Sequence, residues 1–163
     1  MELLGVRVEL PANTPVVMLR EHDVERPRVL PILIGGPEAS AIHSAMEGIV
    51  PPRPLTHDLL VNVVQALGAT LEHIVITEVR EHTFYANLHL RTAAGDALVV
   101  SSRPSDAIAL AVRAGATIFA ESALLDEAAV ESPEVEVDEG DEEAILDEFR
   151  DFLDDISPDD FAS

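Results

Sequence analysis

Cysteine is absent from this 163-residue chain, and all ten of its basic side chains are arginine, so lysine is absent too. Without Cys there are no disulfides, no thiolate metal sites and no Cys nucleophile. Without Lys there is no Schiff-base chemistry and no P-loop lysine. Any metal would have to be held by His and carboxylates. Aromatic residues make up 4% of the chain, which leaves little for a base-stacking platform. No apolar run approaches the roughly 18 residues that cross a bilayer. The start "MELLGVRVELP" lacks the basic start and the small-residue cleavage site of a secretory signal, so a cytoplasmic protein without membrane association is expected. Gly-rich phosphate loops, G-x-S-x-G and H-E-x-x-H are missing as well.

What is present argues for one folded domain with an appendage, since 47% of the residues are apolar. The net charge of −21 is unevenly spread. Residues 1–120 hold 13 acids and 9 Arg, a net of −4, whereas residues 121–163 hold 18 acids and one Arg, a net of −17. Phosphate binding depends on clustered positive charge, so an overall −21 weighs against a nucleic-acid partner. The near-neutral body weakens that objection.

Along the chain, "LLGVRVEL" (3–10), "PVVMLRE" (15–21) and "RVLPILIG" (28–35) read as strands, with Pro31 marking an edge, bulge or bend. "EASAIHSAMEG" (38–48) predicts a short helix. A second helix, from about Thr56 to Leu67, is apolar on most faces and therefore predicted to be largely buried. Residues 69–103 alternate as an antiparallel meander of three strands. "RPSDAIALAVRAG" (103–115) gives an Ala-rich helix, "ATIFA" (116–120) a strand and "ESALLDEAAV" (121–130) a short helix. These elements predict α+β architecture: a mixed, largely antiparallel sheet packed with a few short helices. The domain is assigned to residues 1–130, followed by an acidic linker at 131–143. In 144–163, Ile145, Leu146, Phe149, Phe152, Leu153 and Ile156 form one stripe of a C-terminal amphipathic helix.

Two segments echo one another: "RPLTHD", a helix, then "GAT" (68–70), and "RPSDA", a helix, then "GAT" (115–117). Thr56 and Ser105 read most simply as N-caps, with Asp58 and Asp106 near the positive ends of the helix dipoles. Capping requires neither Arg53 and Arg103 nor His57. Arg beside a helix N-terminus attracts phosphate, and His57, Asp58 and Asp106 can supply a general base or ligands to a divalent cation. Two other candidates have plainer readings. His43 and Glu47 have metal-binding spacing but suit a solvated helix face. Tyr85, Asn87, His89 and Arg91 alternate onto what reads as a wet sheet face.

"RVLPILIGGPEASAI" (28–42), "RPLTHDLL" (53–60), "TFYANLHL" (83–90) and "RPSDAIALAVR" (103–113) together resemble the bifunctional nuclease domain family over about residues 1–130. The resemblance implies an α+β domain, assembly as a homodimer or another small homo-oligomer, and nuclease activity on DNA and RNA. By position it carries over Arg53, Thr56, His57 and Asp58 from one block, Arg103, Ser105 and Asp106 from another, and Glu38. These are motif positions; it is the chemistry of the residues themselves that makes Arg53, His57, Asp58, Arg103 and Asp106 the catalytic candidates, and His57, Asp58 and Asp106 the ligands expected for Mg²⁺ or Mn²⁺. Ser101 departs from the family pattern, since many relatives carry an acid there. The alternative is a non-catalytic interaction or regulatory module whose acidic tail engages a basic protein.

Overall fold

The computed structural model describes residues 1–9 and 14–131. The expected C-terminal helix, and the acidic linker beyond its first residue, lie outside the described residues. In chain order the elements are β1 (Glu2–Glu9), β2 (Thr14–Arg20), β3 (Arg28–Leu33), α1 (Gly36–Met46), α2 (Thr56–Ala66), β4 (Ala69–Arg80), β5 (Thr83–Thr92), β6 (Ala97–Ser102), α3 (Pro104–Ala114), β7 (Thr117–Ala120), α4 (Ser122–Ala128) and β8 (Val130–Glu131). The class is α+β, as expected. The strands divide between two four-stranded sheets, ordered β1-β2-β3-β8 and β6-β5-β4-β7.

The first sheet is antiparallel throughout. Strand β8 pairs with β3 only at Arg28 and Val29, so Pro31 lies where β3 has become an edge and its missing N–H deprives no neighbour. The second sheet contains the expected meander β4-β5-β6, with β7 added parallel to β4. Alternation fixes its faces: Ala86, Leu88 and Leu90 point into the core, and Tyr85, Asn87, His89 and Arg91 point away. The β4–β5 turn places Glu81 (φ 49°) and His82 (φ 62°) in the left-handed region, as a two-residue hairpin turn matched to strand twist demands.

A single core draws Val17, Leu19, Leu30 and Ile32 from the first sheet and Ile74, Ile76, Ala86 and Leu88 from the second. Helix α3 sits at its centre, with Ala107 to Ala111 all buried. Its run of small side chains lets α1, α2 and the second sheet approach closely. Among the described residues, no helix is long and apolar enough to cross a membrane.

The echo in the sequence has a structural counterpart. Helices α2 and α3 each end at a glycine with positive φ, Gly68 at 74° and Gly115 at 64°, and each chain then enters a strand. Those strands, β4 and β7, lie side by side and parallel, with His73 opposite Thr117.

Two expectations are corrected. Helix α2 was predicted to be largely buried, but it has no buried residue. Only one side of it meets α3 and β4; its remaining apolar side chains face outward. Neither Thr56 nor Ser105 is an N-cap. Pro104 occupies the first turn of α3 and forces Arg103 into extended geometry (ψ 146°), which makes Arg103 the cap and moves Ser105 into the helix. In α2 the cap is Leu55, whose N–H donates to the Asp58 carboxylate at 2.9 Å.

Candidate functional site

The starts of α2 and α3 lie against each other, and the charged residues around them form two clusters. In the first, His57 Nε2 lies 3.1 Å from Asp106 Oδ1, joining residues 49 positions apart. Arg103 donates from Nε to Asp106 Oδ2 at 2.6 Å and from Nη2 to Asp106 Oδ1 at 3.0 Å. The same Nη2 donates to Glu38 Oε1 at 3.0 Å. His57 and Glu38 are mostly enclosed, while the Arg103 side chain is 65% exposed. Gly35 precedes α1, and a Cβ there would meet the end of the Glu38 side chain, so a larger residue would make that carboxylate shift.

In the second cluster Arg113, only 10% exposed, donates from Nε to Asp58 Oδ1 at 2.5 Å and from Nη1 to the carbonyls of Ala41 and Ala109. These bonds tie the C-terminal end of α3 to α1 and to the start of α2. Arg113 was not anticipated as part of a site. It closes the "RPSDAIALAVR" block seven residues after Asp106, two helical turns along the same face. An Arg at that place on an otherwise apolar helix needs an acidic partner.

Both acids are held ionised. The hydrogen bond from Arg113, and after it that from the Leu55 N–H, hold the Asp58 carboxyl below its usual range. Partial burial works to raise the pKa of Asp106, but the hydrogen bonds from Arg103 and His57 outweigh it and keep that carboxyl low as well. A carboxylate only accepts, so the His57 tautomer that satisfies Asp106 carries its proton on Nε2 and keeps the Nδ1 lone pair for an incoming proton.

Arg103 also borders a cleft of about 330 Å³. Its walls are the end of β3 (Ile32 to Gly35), the β4–β5 turn (His82 to Phe84) and the start of α3. Ser105 lines it, is 6% exposed, and has a hydroxyl with no hydrogen-bond partner among the described residues.

Arg53 is exposed and has no ion pair or side-chain hydrogen bond among the described residues, so the structure does not bring it into either cluster. His43 is likewise exposed and unpaired. On the outer sheet face the His89 ring stacks on His73 at 4.3 Å, Arg91 pairs with Glu72, and Arg80 lies over the Tyr85 ring.

The carboxylates expected to hold Mg²⁺ or Mn²⁺ are already engaged by cationic and N–H donors in this arrangement. Asp58 gives one oxygen to Arg113 and the other to the Leu55 N–H. Asp106 gives both of its oxygens to Arg103 and His57. No group of three or more His, Asp or Glu among the described residues is arranged to hold a metal.

The profile of the bifunctional nuclease domain matches residues 17–133, a span that contains α1, α2, α3 and both clusters. The chain belongs to the bifunctional nuclease domain family. It is also similar to two uncharacterized proteins of Mycobacterium tuberculosis, Rv1829 of strain H37Rv and MT1877 of strain CDC 1551. Each is 44% identical, over 98% of this chain and 95% of the relative.

Proposed function

We propose that this chain is a cytoplasmic nuclease that hydrolyses phosphodiester bonds of DNA or RNA at the His57–Asp106–Arg103 cluster. The observation that carries the proposal is the His57–Asp106 contact, supported by an exposed Arg at the mouth of a cleft. Asp106 orients the imidazole, as a carboxylate does for a catalytic His. His57 Nδ1 takes the proton of the attacking water as its oxygen bonds to phosphorus. The ester bond to the departing sugar oxygen breaks, and that oxygen leaves with a proton taken from solvent water, while the proton on His57 Nδ1 is released to solvent to restore the neutral imidazole. Arg103 has Nη1 unspent, and the N–H groups of Ser105 and Asp106 precede the first intrahelical bond, from Ala107 to Arg103. These donors suit the non-bridging phosphate oxygens.

The test is cleavage of labelled single-stranded DNA and RNA by the purified chain, with Mg²⁺, with Mn²⁺ and with chelator. His57→Ala and Asp106→Ala should each lower the rate by roughly 10²- to 10⁴-fold, the usual contribution of a positioned acid or base. Activity that survives both substitutions would refute this assignment.

The second reading, a non-catalytic interaction or regulatory module, is favoured by one observation. Asp106 and Glu38 share Arg103, and Asp58 has Arg113, so the cluster around Arg103 sets two acids against one Arg and offers a phosphate no net positive charge. On this reading the acidic segment after residue 131 engages a basic protein, and the charged residues only fasten α2 to α1 and α3.

A further inference from the structure

The cleft beside Arg103 is built for more than a phosphate. Of the described residues that wall it none is acidic, and Ser105, buried at the start of α3, lines it with a hydroxyl that has no partner among them. Phe84 borders the same cleft from β5. It alternates with Ala86 and Leu88 onto the inner face of that strand, so the core grips part of its ring and the rest meets the cleft. A third wall is main chain. Ile34 N–H donates to the Pro15 carbonyl at 2.9 Å, and antiparallel pairs alternate, so the N–H and C=O of Leu33 point away from β2. On that edge β8 pairs only with Arg28 and Val29, and no residue of β2 lines the cleft. Leu33 therefore offers the cleft an adjacent donor and acceptor. Pro31 has no N–H, which leaves the open edge too short for an added strand.

We propose that this cleft is a nucleoside site: it takes one unpaired nucleoside of a nucleic-acid strand, with the base against Phe84, its hydrogen-bonding edge on the main chain of Leu33, and the attached phosphate at Arg103 and Ser105. The placement of the phosphate rests on the nuclease reading. The other contacts do not. An aromatic heterocycle matches all three walls, having flat apolar faces for a ring and a rim on which donor and acceptor stand side by side, as unstacked bases present them to proteins that read single strands. Charge favours the same occupant. Glu38 and Asp106 share Arg103, so a phosphate alone gains little there, and most of the affinity has to come from the nucleoside. A volume of about 330 Å³ stands at the small end of ligand sites, and one aromatic ring serves one base. A base already paired in a duplex has its edge covered, so the site selects single strands.

The experiment is calorimetric titration of the full chain with the 3′- and 5′-monophosphates of deoxyadenosine, with deoxyribose 5-phosphate and with inorganic phosphate, none of which has a phosphodiester to be cut. One of the two mononucleotides should bind at least roughly tenfold more tightly than the sugar phosphate or phosphate. Phe84→Leu keeps an apolar side chain in the core. It should weaken that mononucleotide by roughly 5- to 150-fold, the worth of one base stacked on a ring, and leave the sugar phosphate unchanged, whereas Phe84→Tyr should keep the affinity. Single-stranded oligodeoxyadenylate should displace the mononucleotide, and the same strand annealed to its complement should not. Mononucleotides that bind no better than the sugar phosphate, or a folded Phe84→Leu variant that binds as the wild type does, would overturn the inference. So would displacement by the duplex, or by neither strand, the latter assigning the cleft to free mononucleotides. Should Phe84→Leu unfold, the ligand series and the displacement on the wild type decide the matter. Cleavage is a separate readout. A chain that binds the base and cuts nothing refutes the catalytic assignment and keeps the nucleoside site; a chain that cuts without favouring the base does the reverse.

Discussion

Helices α2 and α3 are each led in by Arg-Pro, carry an Asp in the first turn, are followed by Gly-Ala-Thr and feed neighbouring parallel strands, yet seven residues of α3 are buried and none of α2. The difference lies in side-chain size and position. Alanines at 107, 109 and 111 let α3 lie in the core against α1, α2 and the second sheet. Leucines and valines crowd every side of α2, and only one side finds a neighbour within the fold. Apolar content therefore reports that a helix needs cover, while the distribution of small residues reports where the chain itself supplies it.

The sharpest way to break this contrast is to cut one large side chain from each helix. Ile108 is fully buried in α3, and Ile108→Ala should lower the stability of the chain by about 2–5 kcal/mol. Leu59→Ala should change it by less than about 0.5 kcal/mol in urea unfolding, because Leu59 is 54% exposed. Equal costs would mean that the outer side of α2 is packed within the fold after all.

A smaller effect is expected at the ion pair that joins the two helices. Asp58→Asn leaves the largely enclosed Arg113 without its countercharge and should cost roughly 1–3 kcal/mol, toward the lower part of the range because Asp58 is partly exposed. The same residue contributes to the acid limb of stability. Asp58 and Asp106 are both held below their usual pKa, so their contribution is complete above the unfolded carboxylate value of about 3.9 and is lost as pH falls through the depressed folded values. Glu21, held down to about 2 by its hydrogen bonds from Arg28, acts in the same direction. Stability should therefore decline below about pH 4, and the decline should be shallower in Asp58→Asn, as thermal unfolding across pH would reveal.

Much of this was legible in the residues. Alternation in 83–92 assigns the faces of β5, Pro31 marks an edge, and the repeated "RP" before each helix points to the two starts that the fold brings together. What was not legible depends on distant pairing. The division into two sheets rests on partners such as Val29 with Val130, and no local pattern states that pairing. Arg113 finds Asp58 across 55 positions. Arg53 and Arg103 look equivalent as text, but Pro104 places Arg103 at the cap facing Asp106, whereas Arg53 stands two residues before the cap of α2 and points to nothing charged.

The smallest predicted effect concerns the two hydroxyls that read as caps. An N-cap oxygen accepts from a first-turn N–H, and losing it typically costs about 1 kcal/mol. Thr56 and Ser105 instead sit inside their helices, and neither accepts such a bond. At α2 the capping interaction comes from Asp58, which accepts the Leu55 N–H. At α3 the proline removes one donor from the first turn. Thr56→Ala and Ser105→Ala should therefore each change unfolding stability by less than about 0.5 kcal/mol. Ser105→Ala has a second use, because its hydroxyl faces the cleft rather than a partner. A loss of cleavage without a loss of stability would place Ser105 on the substrate, whereas a cost of about 1 kcal/mol or more at either position would restore it to a capping role.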